Sequence, residues 1–358
     1  MGRTLIVAEV GVNHDGSVDK ALELVRVAGE ANADVVKFQS FDPALVATET
    51  APQAPYQKQR AGMTSQFEML ANLQLDEEAY QTIADECRRV GTEFLSTAFD
   101  AASLERLVAM GMQRIKIPSG ELTNGPLILE SARTGCDLIV STGMATMGEI
   151  EGALAVIAWG RTHGSGHPSP AELREAWSHA AKCSTLGGHV TLLHCTTSYP
   201  CADEDVNLRA MGSMRDAFGL DVGYSDHTLG TAVSVAAVAL GATVIEKHIT
   251  LNRVDPGPDH AASIEPDELT SLVKQIRMVE RAMGSGVKAP VPAELANAEV
   301  ARRSIVAATT IREGERFTEA NLAILRPAGG QSPMEYWSLL GTHAPRRYEA
   351  AELIDADD

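Results

Sequence analysis

The sequence predicts an α/β chain: a (β/α)8 TIM barrel over residues 1–284, a linker over 285–300 and a small second domain over 301–358. Three observations carry that expectation: eight short apolar runs, helical periodicity in the gaps between them, and polar residues at the end of every run. The runs are Thr4–Val10, Asp34–Phe41, Glu93–Ala98, Arg114–Pro118, Asp137–Ser141, Val190–Cys195, Asp221–Tyr224 and Thr243–Ile249. Each has strand length and is rich in apolar or β-branched residues. The gaps repeat apolar residues at helical spacing, as in Leu22, Val25 and Ala28, or Leu269, Leu272, Val273, Ile276 and Val279. Strand then helix, repeated, is the form a parallel barrel takes, because parallel neighbours need a crossover of a dozen or more residues.

One gap is longer than a crossover needs. The helix after the fifth run, about Gly148 to Trp159, is expected to end at Gly160, yet the sixth strand starts only near Val190. Between them Ser169-Pro170-Ala171-Glu172 is a capping box with proline at the first helical position, which predicts an extra helix to about Lys182. On a barrel this insertion faces away from the chemistry, so His163, His167, His179 and His189 are expected to be solvated, on a surface or oligomer-contact element. The helix after the eighth run ends at Gly284, a good C-cap. Ser285-Gly286-Val287-Lys288-Ala289-Pro290-Val291-Pro292 then reads as linker. The second domain has short apolar runs at Ser304–Ala308 and Leu322–Leu325. Its length is near the lower limit for an independent core, so it is expected to lean on something else.

Bulk properties narrow the function. Hydrophobic residues make up 44% and charged residues 22%, with no apolar run near the ~20 residues that a membrane span needs. Glu9 breaks the first apolar run, so the N-terminal segment reads as a strand and not as a signal peptide. The five cysteines (Cys87, Cys136, Cys183, Cys195, Cys201) form no C-x-x-C pair, which points to a reducing, cytoplasmic setting. A formal net charge of −18 with no basic stripe argues against nucleic acid as a partner. It does not exclude a small anion, because a few lysines in a low-dielectric cleft set the local field.

The strand ends supply such lysines. The runs give way to Glu9, to Lys37 and Gln39, Ser96 and Thr97, Ser119 and Glu121, Ser141 and Thr142, His194 and Thr196, Ser225 and His227, and Lys247 and His248. Catalytic groups in this fold come from the C-terminal face, so the pattern predicts one crowded polar site there. Loop polarity alone explains serines and threonines. It does not explain charges inside Val35-Val36-Lys37-Phe38 or Val244-Ile245-Glu246-Lys247-His248, where an unpaired charge costs several kcal/mol.

Ordered blocks then identify a resemblance. Ile6-Val7-Ala8-Glu9-Val10-Gly11-Val12-Asn13-His14-Asp15-Gly16, Val36-Lys37-Phe38-Gln39, Phe94-Leu95-Ser96-Thr97, Lys116-Ile117-Pro118-Ser119-Gly120-Glu121 and Ser141-Thr142-Gly143-Met144 are followed by Leu193-His194-Cys195-Thr196, Gly223-Tyr224-Ser225-Asp226-His227-Thr228, Glu246-Lys247-His248 and Gly257-Pro258-Asp259-His260. Together they resemble the sialic acid synthase (N-acetylneuraminate synthase) family. The tail, from Ala301-Arg302-Arg303-Ser304-Ile305-Val306-Ala307 to Leu325-Arg326-Pro327, is similar to that family's antifreeze-like (SAF) domain.

The resemblance implies condensation of phosphoenolpyruvate with an N-acylated amino sugar such as N-acetylmannosamine. C3 attacks the aldehyde, water adds at C2 and phosphate leaves. It further implies a divalent metal, Mn2+ or Mg2+, on His227 and His248, with Glu246 orienting a metal-bound water and Glu9 as acid/base. Lys37, Gln39, Thr97, Lys116, Ser119, Ser141, Thr197 and Ser225 fall where the family holds phosphoenolpyruvate. Glu121, Tyr199 and Asp259 fall where it binds sugar hydroxyls. Arg326 matches an arginine that the partner's small domain delivers to the N-acyl group in a domain-swapped homodimer. Two departures bear on the sugar: Gln59-Arg60-Ala61-Gly62-Met63-Thr64 lacks an asparagine that the family often has there, and position 197 is threonine where some members carry asparagine. Legionaminic acid synthesis from 2,4-diacetamido-2,4,6-trideoxymannose is the alternative within the class. A metal-dependent hydrolase would not need so many phosphate-type donors, and a non-catalytic carbohydrate-binding protein would bind sugar without turnover.

Overall fold

The computed structural model describes residues 2–53 and 65–355. The eight runs form parallel strands β1 (Leu5–Gly11), β2 (Val35–Ser40), β3 (Glu93–Ala98), β4 (Arg114–Ile117), β5 (Asp137–Ser141), β6 (Val190–Cys195), β7 (Asp221–Asp226) and β8 (Val244–His248). Each pairs with the next and β8 pairs with β1, so the sheet closes and leaves no edge. Register sets Glu9 between Lys37 and His248, Thr97 beside Lys116, and Ser225 beside Glu246. Side chains brought together from distant parts of the sequence thus lie at one level of the barrel.

Helices cover the outside because their apolar faces match the outward apolar residues of the strands. Val18–Glu30 buries Ala21, Leu24, Val25 and Ala28, and Pro266–Ala282 buries Leu269, Leu272, Val273 and Ile276. Several starts are fixed by side-chain caps: Ser17 accepts from the Lys20 amide, Asp76 from Ala79 and Asp100 from Ser103, each worth about 1 kcal/mol. The resulting core runs through all eight strands. No helix among the described residues is long and apolar enough to cross a membrane.

Gly160 does not stop its helix, which runs Met147–Thr162. A Cβ at Gly160 would lie 2.8 Å from Ala132 Cβ and 3.0 Å from Leu129 Cδ1, so the glycine permits close approach to the helix Gly125–Arg133. The inserted helix follows as Pro170–Cys183, with both halves of the Ser169/Glu172 capping box present. His163, His167, His179 and His189 are exposed; His163 stacks on Trp159 at 4.2 Å, and His189 meets Asp137 at 2.9 Å.

The chain divides into two compact units, Met1–Gly284 and Ser285–Asp358. The stretch 285–300 is not a plain linker, since Pro292–Ala301 is helical, begun by proline in its first turn; it buries no residue. The second unit pairs β9 (Ser304–Ala307) antiparallel to β10 (Leu322–Leu325). Its small core holds Ile305, Ala307, Ile311, Phe317, Leu322, Ala344, Tyr348 and Ile354. Met334 and Trp337 remain 76% and 73% exposed, more apolar surface than so small a core can absorb.

Candidate active site

The pleat decides which strand residues reach the barrel interior, because successive side chains point to opposite faces. Glu9, Lys37, Gln39, Thr97, Lys116, Ser119, Ser141, Thr197, Tyr199, Ser225, His227, Glu246, His248 and Asp259 line one cavity of about 240 Å³. Their alternates face elsewhere. Ser96 shares a hydrogen bond with Ser40, Thr142 donates to the Leu193 carbonyl, His194 meets the Val206 carbonyl, and Lys247 pairs with Asp226 at 2.9 Å. Thr196, just past β6, turns away too, its hydroxyl donating to the Asp205 carbonyl at 3.0 Å, so the expected convergence of all strand-end polar residues on one site fails at these five.

Charge in the cavity is tightly paired. Lys37 Nζ lies 2.5 Å from Glu9 Oε2, 3.7 Å from Glu246 Oε2, and donates to Thr97 Oγ1 at 3.1 Å. Lys116 and Ser225 donate to Glu246 Oε1 at 3.2 and 3.0 Å, and Gln39 donates to Glu9 Oε1 at 3.1 Å. Across the cavity the His227 and His248 ring centroids are 5.6 Å apart, and Tyr199 packs against both at 4.1 and 5.7 Å. Pairing is incomplete all the same. Ser141 Oγ and His248 Nδ1 are buried without a hydrogen-bond partner, while Glu9 Oε2 and Glu246 Oε2 have only the Lys37 ammonium beside them.

Two of the site residues read from sequence lie off this cavity. Glu121 sits on the turn Ser119–Glu121 and accepts from Asn124 at 2.6 Å. Arg326 belongs to the second unit, where its Nε donates to the Ala301 carbonyl at 2.9 Å. The stretch Gln59–Thr64, singled out for its missing asparagine, lies outside the described residues.

With this geometry in place, comparison with known proteins decides the family. The NeuB family model matches residues 24–288, and the SAF domain model matches 302–358. The chain belongs to the NeuB family. It is 45% identical to N,N'-diacetyllegionaminic acid synthase of Campylobacter jejuni over 99% of both chains. To the Legionella pneumophila protein of the same name it is 40% identical, over 98% of this chain and 92% of the relative. The crystal structure of an N-acetylneuraminic acid (sialic acid) synthetase from Leptospira borgpetersenii, in complex with citrate, superposes with a TM-score of 0.69 at 28% identity. It covers 83% of this chain and 91% of that one.

In this NeuB chain the two cavity carboxylates are driven apart. Burial pushes Glu9 up to about 7, against the pull of Lys37 and with a further push from Glu246. Burial also acts to raise Glu246, but Lys116 and Lys37 outweigh it and hold that carboxyl at about 2. Such divergence separates a proton carrier from a permanent anion. Burial alone would depress Lys37, yet Glu246 and Glu9 raise it; Lys116, desolvated and only partly offset by Glu246, is lowered. Asp259 is pushed up to about 6 by burial.

The two histidines fit a divalent metal. Burial drives His227 down to about 4 and His248 well below the usual value, so both are neutral and offer lone pairs at neutral pH. His227 Nδ1 meets the Thr196 carbonyl at 2.7 Å, which as donor leaves Nε2 an acceptor, with only Ser225 Oγ near it at 3.4 Å, the outer-shell arrangement usual for a metal-binding histidine. His248 Nδ1 lies 3.8 Å from Asp259 Oδ2, too far for a hydrogen bond. Elsewhere among the described residues, Asp15, Asp255 and His260 bring three ligand-type atoms within 4.8 Å of one another. There Lys20 Nζ already bridges the carboxylates at 2.5 and 2.8 Å, so the cation place is filled by an ammonium.

Three parts of the NeuB site escaped the sequence reading. Gly143 donates its amide to Ser119 Oγ at 3.0 Å, and a Cβ there would collide with Thr197 Oγ1 and lie 2.8 Å from Ser119 Oγ. The Ser141-Thr142-Gly143 run was the available signal. Cys195 closes the floor 3.1 Å from Ser119 Oγ; burial raises its pKa, so it serves as a thiol. The third is an apolar wall from the loops after β1, β2 and β3, which no periodic pattern announces.

Proposed function

We propose that this chain is a phosphoenolpyruvate-dependent synthase that condenses an N-acylated amino sugar into a nine-carbon sialic-acid-type product, releasing phosphate. The observation that carries the reading is the pair of buried lysines, Lys37 and Lys116, set in one cavity with a row of hydroxyls, of which Ser141 Oγ has no hydrogen-bond partner. A phosphorylated three-carbon acid brings two anionic groups that such lysines recognise as point charges, with Ser119, Ser141, Thr97, Thr197 and Ser225 as hydroxyl partners. Of the two sugars weighed from sequence, the names of the relatives at 45% and 40% identity support 2,4-diacetamido-2,4,6-trideoxymannose over N-acetylmannosamine.

His227 and His248 would hold Mn2+ or Mg2+, which when bound supplies Lewis acidity toward the aldehyde oxygen. The remaining chemistry belongs to side chains. C3 of phosphoenolpyruvate forms the new bond to the aldehyde carbon, and Glu9 gives its proton to the aldehyde oxygen. Water then adds at C2, giving up a proton to the Glu9 carboxylate, and the C2–O bond to phosphate breaks to leave the C2 ketone and inorganic phosphate. Glu246 stays ionised to orient water and to balance the two lysines. Tyr199 and Asp259 face the sugar, with Glu121 at the rim. We further propose a homodimer in which Arg326 of one subunit reaches the N-acyl group in its partner's barrel. The setting is the cytoplasm, consistent with free Cys87, Cys136, Cys195 and Cys201.

Phosphate release measured with phosphoenolpyruvate, Mn2+ and each sugar tests the reading. Turnover with the diacetamido sugar is expected. His227→Ala and His248→Ala are expected to abolish it and to lose the rise in Tm that Mn2+ gives the wild type, without loss of fold. Full activity of either variant after metal stripping would refute the metal assignment, and no phosphate release with either sugar would refute the reaction.

A further inference from the structure

Besides its ionisable floor, the cavity has an apolar side that the reaction as described does not use. Val12, Phe41, Met69 and Leu73 form a small buried cluster of their own, apart from the barrel core, with Val46, Leu70 and Phe99 packed on it. All seven line the active-site cavity. They come from the segments after β1, β2 and β3, including the short helix Pro43–Val46 and the helix Gln66–Leu73. The Phe41 and Phe99 rings meet edge to face at 6.2 Å, which holds the wall in shape.

We propose that this wall is the sugar-specificity element: it receives the C6 methyl of a 6-deoxy N-acylated sugar and disfavours a sugar that carries a 6-hydroxyl. The proposal rests on the synthase reading above. In that reaction the sugar's C1 must sit at the ionisable floor, where it meets C3 of phosphoenolpyruvate, so C6, at the opposite end of the sugar, is the carbon farthest from the charged groups. A methyl placed against Val46, Leu70 and Met69 loses no hydrogen bond. A hydroxymethyl placed there leaves its hydroxyl without a partner. An apolar pocket rejects a hydroxylated analogue only moderately, by about 10- to 100-fold, so both sugars should turn over at measurably different rates.

The test is the ratio of kcat/KM for 2,4-diacetamido-2,4,6-trideoxymannose to that for 2,4-diacetamido-2,4-dideoxymannose, which differs from it only by the 6-hydroxyl, in the wild type and in two variants. Val46→Thr keeps shape and adds one hydroxyl, and Leu70→Gln adds an amide; both positions are only half-buried, so the fold should hold. We expect a wild-type ratio of about 10 or more, falling at least severalfold in each variant through a gain for the hydroxylated sugar. If Leu70→Gln melts early, Val46→Thr decides. A ratio near one in the wild type, or one unchanged in the well-folded variant while phosphate is still released, overturns the wall's role and leaves the synthase reading intact. Absence of phosphate release with both sugars overturns the two together.

Discussion

Single residues in this site are tuned by their surroundings more than by their type. Glu9 and Glu246 are the same side chain a few ångströms apart across Lys37, yet burial with one close ammonium lifts the first to about 7 while two ammonium groups hold the second at about 2. Substrate phosphate should draw Lys37 away from Glu9, and losing that ammonium raises the carboxyl further, which suits an acid. In the proposed reaction the protonated form is the competent one, so kcat/KM is expected to fall as pH rises through about 7. Glu9→Gln should lose about 10²- to 10⁴-fold in rate and also lose that limb of the pH profile. The sign for stability runs the same way: a carboxyl whose folded pKa exceeds its unfolded value binds more protons when folded, so its contribution weakens as pH climbs from about 4.5 toward 7. A pH–rate profile of the variant that retains a midpoint near 7 would remove Glu9 from the proton-carrying role.

At the scale of elements, the proposed metal site requires β7 and β8 to hold His227 and His248 at a fixed separation, and a buried ion pair lies beside them. Lys247 and Asp226, each next in sequence to one histidine, are about 1% and 0% exposed and 2.9 Å apart. Lys247 also donates to the Thr228 carbonyl, while Asp226 accepts from the Thr228 amide and hydroxyl and from Ser234, so every charge is answered. Removing one partner of such a pair typically costs about 3–5 kcal/mol, whereas replacing both with apolar groups can be nearly neutral. Lys247→Met is therefore expected to lower unfolding free energy by about that amount in urea, and Asp226→Leu/Lys247→Met to recover most of it. Recovered stability with Mn2+ affinity still weakened would locate the pair's function in positioning; a single variant as stable as wild type would deny it a structural role.

Elements also show what the sequence made legible. Strands announced themselves because they are apolar on both faces and bounded by helices of clear period, so β3, β5 and β6 match their expected limits to the residue. Where the reading slipped, the cause lies in packing. Gly160 looks like a stop in one dimension, and only the neighbouring helix shows that the glycine admits a contact. Lys247 and His194 are chemically suited to a site but fall on the wrong side of the pleat, a parity that strand limits uncertain by one residue do not settle. The wall of Val12, Phe41, Met69 and Leu73 is assembled from segments with no shared period, so only tertiary structure collects it.

At the scale of the whole molecule the proposed homodimer is what can be tested. The second unit's core is small and it leaves Met334 and Trp337 bare, both reasons for it to seat against a larger surface. If Arg326 acts across a dimer, defects in barrel and arginine should complement. Take one chain with His227→Ala and another with Arg326→Ala. In a swapped heterodimer one site gathers both lesions, and the other joins an intact barrel to an intact arginine. Random mixing makes half the dimers mixed, each with one good site, so co-refolded protein should show about one quarter of wild-type activity although each parent is impaired. An arginine serving its own barrel gives no recovery, because every site then carries one lesion. Arg326→Ala alone should raise KM for the sugar well beyond its effect on phosphoenolpyruvate, since the loss falls on sugar binding. Equal effects on both substrates would place Arg326 away from the N-acyl group even in a dimer that complements.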